Sequence, residues 1–89
     1  MSRIEQGEIV RHFKYETLTR EQKQQNKYLY RIVCFAKHSE TDEQLVVYQA
    51  LYEPFQIYAR PTSSFFGKVD VEKYPYINQK YRFERHESL

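Results

Sequence analysis

Residues 36–61 read AKHSETDEQLVVYQALYEPFQIYARP, and this stretch decides the fold. One apolar run ends at Ala36. A polar turn, His38 to Gln44, contains Ser, Thr and Asp and no hydrophobic side chain, which is the chemistry of a hairpin loop rather than of a helix. Leu45 to Tyr52, LVVYQALY, is the strongest strand pattern in the chain. Glu53-Pro54 makes a corner, because proline has no ladder donor, and Phe55 to Arg60 alternates until Pro61 stops it.

Working outward, the run that enters the turn is Tyr28 to Phe35, YLYRIVCF. Both of its faces are apolar apart from Arg31, so it belongs inside a sheet. The seven residues of the His38 to Gln44 turn are too few for a parallel crossover, and an antiparallel hairpin is expected. In Leu45 to Tyr52 one face is Leu45, Val47 and Leu51 with Gln49, and the other is Val46, Tyr48, Ala50 and Tyr52. The aliphatic set is expected to face the core and the tyrosine set a half-exposed surface; a slip of one residue would exchange them. The same logic turns Phe55, Ile57 and Ala59 inward and Gln56, Tyr58 and Arg60 outward.

Ahead of this ribbon, MSRIEQGE is expected to start as a loose arm, with Gly7 before a strand over Ile9 to Tyr15. Glu16 to Lys27, ETLTREQKQQNK, is a polar insertion that reads as a surface loop dispensable for the fold. Thr19 and Gln22 have capping-box spacing, so a turn or two of helix can start there. After the ribbon, Thr62-Ser63-Ser64 can cap a single turn carrying Phe65 and Phe66 inward, Val69 and Val71 alternate with charges, KYRFE at 80–84 alternates again, and HESL is a frayed tail.

The chain of 89 residues is expected to be one domain with a single core. Nine Tyr and six Phe with only two Gly favour strands. The expected fold is all-β, a small SH3-like barrel of five to six short strands with at most a short helical turn; an OB-like barrel or a bent sheet with one short helix is the alternative. A formal net charge of +2 is too small for a general nucleic-acid magnet. The charge is uneven, however: residues 11–37 hold seven Lys/Arg against two acids, and residues 38–58 hold four acids and no Lys or Arg. The single Cys allows no internal disulfide, and the absence of a signal-like or membrane-length apolar run makes the cytoplasm the expected location.

Four blocks, Arg11-His12-Phe13-Lys14, Ala36-Lys37-His38-Ser39-Glu40-Thr41, Val46-Val47-Tyr48-Gln49-Ala50-Leu51-Tyr52 and Tyr58-Ala59-Arg60-Pro61, come in one order along residues 7–72. They resemble a small bacterial family known only as a domain of unknown function. Two features depart from the pattern: the insertion at 16–27, and Tyr58 where a Trp is common. The resemblance supplies no activity, and no cofactor is expected.

Chemistry is sparse. His38-Ser39-Glu40 sets an imidazole, a hydroxyl and a carboxylate side by side, but neighbours on a turn rarely point at one another and no glycine-framed nucleophile elbow exists. The histidines lack metal-site spacing, and Cys34 reads as a buried, inert thiol. Rings interleaved with cations mark the remaining candidates, Arg11, His12, His38, Tyr48, Tyr58 and Arg60. Such surfaces stack bases or grip peptides. The expected function is a non-catalytic binding module for a peptide, a protein or single-stranded nucleic acid; the alternative is a small enzyme using a His and carboxylate pair.

Overall fold

The computed structural model describes residues 4–86. Its strands are β1 (Ile9–His12), β2 (Leu29–Lys37), β3 (Gln44–Ala50), β4 (Ile57–Pro61) and β5 (Phe83–Arg85). They form one antiparallel sheet in the order β4-β3-β2-β1-β5. The expected hairpin is its centre, with Tyr30 opposite Ala50 and Lys37 opposite Gln44. Three helical pieces interrupt the strands: a 3-10 helix over Phe13–Thr17, and the α-helices α1 (Arg20–Gln24) and α2 (Thr62–Phe65). The all-β expectation therefore holds.

The sheet is strongly curled. β4 and β5 are its two edges, which four strand spacings would hold about 19 Å apart if it were flat. Instead the Arg60 guanidinium of β4 lies over the Phe83 ring of β5, 5.4 Å from its centroid. α2 plugs the curl with Phe65, which stacks on Phe83 at 4.2 Å and meets Tyr48 at 5.2 Å.

The faces are opposite to those expected. Val10, Tyr30, Ile32, Val46, Tyr48, Ala50, Phe65 and Phe83 form the core, while Leu45, Val47 and Leu51 are only half-buried. On β4 the pattern is likewise inverted: Ile57 is 52% exposed and Phe55 50%, whereas Tyr58 and Arg60 sit opposite the core residues Tyr48 and Val46. Tyrosine can enter because its ring supplies apolar area and its hydroxyl finds a partner, here Tyr30 Oη to Tyr52 Oη at 2.8 Å. A bulge between Ile32 and Cys34 shifts the register of β2, so Phe35 rather than Cys34 comes opposite Val46. Val33 and Phe35 remain more than a third exposed on this central strand, and Cys34 is half-buried rather than buried.

Other boundaries differ for local reasons. β1 ends at His12, whose Nδ1 accepts from the Lys14 N–H and starts the 3-10 turn. The capping box of Thr19 and Gln22 forms as expected and opens α1. The insertion is not a free loop, because the Glu16 carboxylate accepts from the Asn78 N–H at 2.9 Å and the Gln79 N–H at 2.6 Å. Residues 68–72 make one isolated bridge, Lys68 to Tyr81, instead of a strand, leaving Val69 buried and Val71 exposed. Phe65 is buried but Phe66 stays at the surface. The described part of the N-terminal arm is not loose: Ile4 packs on the core and the Gly7 N–H donates to the Ile32 carbonyl at 2.8 Å. His86 of the expected tail is tied too, its N–H donating to Ile9 O at 2.9 Å, while residues 1–3 and 87–89 lie outside the described residues. No helix among the described residues is long and apolar enough to cross a membrane.

Candidate functional site

The even-numbered residues of β1, β3 and β4, with Tyr30 of β2 and Phe83 of β5, share the inner face of the curl. Register alone thus brings His12, Tyr48, Tyr58 and Arg60 to one side, as the alternation of side chains requires. Their rings touch in a chain. Tyr48 lies 5.6 Å from Tyr58 and 5.3 Å from Tyr30, and Tyr30 lies 5.7 Å from Tyr52 and 6.4 Å from Tyr58. Tyr48 is buried while Tyr58 is 43% exposed, so the ring cluster runs from the core to solvent.

Phe83 links the tyrosines to the cations. Its ring meets Tyr30 at 5.8 Å, Tyr48 at 5.5 Å and His12 edge-on at 5.1 Å, besides lying under Arg60. His12 also contacts Tyr28 at 5.6 Å. With Nδ1 accepting from Lys14, the neutral imidazole carries its proton on Nε2. Burial first, and then the charges of Arg60, Lys14 and Arg82, hold the His12 pKa down at about 4, so the ring is neutral at pH 7.

The phenols are neutral as well. Burial, reinforced by the Tyr52 hydrogen bond and by nearby phenols, pushes Tyr30 far above the usual tyrosine range. Burial also raises Tyr48, with the Arg60 charge opposing it, and raises Tyr52. The face therefore presents neutral rings, hydroxyls and an imidazole N–H beside fixed guanidinium charge. These groups can stack on a flat surface and donate hydrogen bonds.

β4 borders this face and is itself open. The Ala50 N–H bonds the Gln56 carbonyl at 2.9 Å, which sets the phase of the β3/β4 ladder. Tyr58 and Arg60 thus direct their backbone groups to β3, and Ile57 and Ala59 direct theirs to the outer edge. The Gln56 side-chain amide covers the Ile57 carbonyl at 3.2 Å, and Pro61 offers no N–H. Next to Tyr52 a cleft of about 780 Å³ opens between residues 24–27 and 51–55.

Two of the sequence-chosen residues lie elsewhere. Arg11 points to the opposite face, where its Nε donates to Gln79 Oε1 at 3.2 Å, its guanidinium donates to the Arg85 carbonyl at 2.8 Å, and Glu84 pairs with it at 3.7 Å. His38 sits in the β2/β3 turn, six residues along the strand from Ile32 and so roughly 20 Å from Tyr48. Its Nδ1 accepts from the Glu40 and Thr41 N–H groups at 3.1 and 3.3 Å, capping the turn instead of activating Ser39. Among the described residues no cluster of three or more His, Cys, Asp or Glu is placed to hold a metal.

Sequence reading missed Tyr30, Arg82 and Phe83 as members of this group. Alternation in residues 80–84 was a signal for a strand, but nothing local says that its ring meets Tyr48.

No curated protein and no solved structure matches the chain. The family model described as a protein of unknown function (DUF1653) matches residues 8–85, running through the insertion and reaching β5, beyond the block pattern that stops near residue 72. With β1 through β5 all inside that match, the chain belongs to this family of unknown function.

Proposed function

We propose that the chain is a non-catalytic binding module, built as a small SH3-like barrel, that takes an extended peptide segment of a protein partner along β4. The observation that carries this reading is the position of Tyr58 and Arg60: both project from an open edge strand onto the face that holds Tyr30 and Tyr48. A peptide added to that edge would bond the outward groups of Ile57 and Ala59, and its alternate side chains would reach the tyrosines. Neutral phenols give flat, rigid contact area at small entropic cost, which suits a recognition surface.

Single-stranded nucleic acid is the competing ligand, and the experiment separates the two. The 15N-labelled chain is titrated with a peptide library and, separately, with oligonucleotides. The expected result is that peptides shift the amides of Ile57 to Arg60, and that Tyr58→Ala weakens binding about tenfold or more, the typical loss for one stacking contact of 1 to 3 kcal/mol. Oligonucleotide binding without peptide binding refutes the reading, as do shifts confined to the turn around His38.

A further inference from the structure

We infer that the inner face contains an oxyanion subsite, formed by the guanidinium groups of Arg60 and Arg82 and the Nε2–H of His12, for a carboxylate or phosphate group of the ligand. The inference rests on the reading of this face as a binding surface and adds the chemistry of what binds there.

Three observations carry it. Arg60 lies over the Phe83 ring at 5.4 Å and His12 meets the same ring edge-on at 5.1 Å, so both groups sit beside β5, one from the edge strand β4 and the other from β1, the strand paired with β5. Arg82, next to Phe83 in the chain, is fixed in place by donating to the Ser64 carbonyl at 2.7 Å, with Gly67 so close that an added Cβ would meet its guanidinium at 2.7 Å. His12 spends Nδ1 on the Lys14 N–H and is left with Nε2–H as a donor.

Charge balance points the same way. The chain gives carboxylates to two other arginines: Glu8 to Arg85, which shares a face with Val10, and Glu84 to Arg11 on the opposite face. Among the described residues Arg60, Arg82 and Lys14 have no ion pair, although all three lie close enough to His12 to disfavour its protonation. The groups facing His12 are Lys14 on the 3-10 helix, Tyr28 beside β2, Arg60 on β4 and Arg82 before β5, and none is acidic. Half-buried like charges without a counterion are costly to hold together, and a bound oxyanion removes that cost. Guanidinium groups offer it paired donors in a plane, and the imidazole offers a further one.

The test uses the full chain and simple anions. Inorganic phosphate, acetate, phenyl phosphate and benzoate are titrated at constant ionic strength against chloride, following the His12 ring and Arg60 side-chain NMR signals. The expected result is saturable shifts, with the His12 pKa rising from about 4 by about 1 pH unit or more, as an anion within about 4 to 6 Å produces. Preference for the phosphates or for the carboxylates identifies the source of the charge. Arg60→Gln is expected to weaken binding about tenfold or more, and Arg60→Lys, which keeps charge and stem over Phe83, to weaken it less.

Shifts that are linear in added salt and equal for chloride overturn the subsite, as does a His12 pKa that stays put in wild-type protein; neither readout depends on a variant that folds. Peptide binding that neither phosphate nor acetate competes with, and that leaves His12 unmoved, also overturns the subsite while sparing the peptide reading. Saturable phosphate binding with no peptide binding does the reverse.

Discussion

Val46 and Val47 are adjacent on β3, and replacing each by Ala asks which face of the strand is inside. Val46 is fully buried and opposes Phe35 and Arg60; Val47 is half-exposed and opposes Cys34 and Ala59. Val→Ala removes two carbons, about 1.6 kcal/mol of transfer free energy at a buried site, and the cavity left behind raises the loss to about 2 to 3 kcal/mol at Val46. At Val47 about half the transfer applies and no cavity forms, giving about 0.5 to 1 kcal/mol. The loss of a β-branched residue is common to both and drops out of the difference. With a urea slope of about 1 to 3 kcal/mol per molar, a difference of about 1.5 kcal/mol separates the two midpoints by roughly 0.5 to 1.5 M. Equilibrium unfolding followed by circular dichroism measures it. If Val47→Ala costs as much as Val46→Ala, or more, the aliphatic face is the core and the tyrosine site does not exist.

Glu16→Ala is expected to lower stability by about 1 to 3 kcal/mol, since the carboxylate alone satisfies the Asn78 and Gln79 N–H groups, and Glu16→Gln to lower it less; thermal melts of both variants decide whether the insertion is as dispensable as its polarity suggests. His12 should titrate by NMR near pH 4, not near 6.5. Because its folded pKa lies below its unfolded one, the unfolded chain binds the extra proton, so stability is full above about pH 6.5 and declines as pH falls toward 4; His12→Gln should flatten that part of the curve, and an unchanged slope refutes the assignment.

What was legible in the sequence was local. The β2/β3 hairpin followed from two apolar runs around a polar turn, and the α1 start from the Thr19 and Gln22 spacing. The faces of β3 were misread because both alternate sets are largely apolar, so periodicity fixes the alternation and not its phase; on β4 and just before it the apolar set Phe55, Ile57 and Ala59 lies outside because pairing with β3 sets its phase. Tyr48 read as a half-exposed residue while its hydroxyl had no visible partner; Arg60, from another strand, supplies those surroundings. Of the candidate site, alternation alone yields Tyr58 and Arg60, on one strand. His12 came from the same rings-and-cations pattern that also selected Arg11 and His38, which the fold uses to brace β5 and to cap a turn. Arg82 and Phe83 could not be placed, because their partners are about 20 or more residues away in the chain.

The lateness of β5 shapes how the molecule is made. Phe83 is the ring that His12, Tyr30, Tyr48 and Phe65 all touch, and Val10 pairs with Arg85 across a span of 75 residues. A ribosome adding about 5 to 20 residues per second takes about 4 to 15 s to travel from one to the other. Throughout that interval the β2/β3 hairpin can form, being local, but the outer edge of β1 has no partner and the curl has nothing to close on. The face that gathers His12, Arg60 and Phe83 is therefore assembled only when the strand that completes the core emerges.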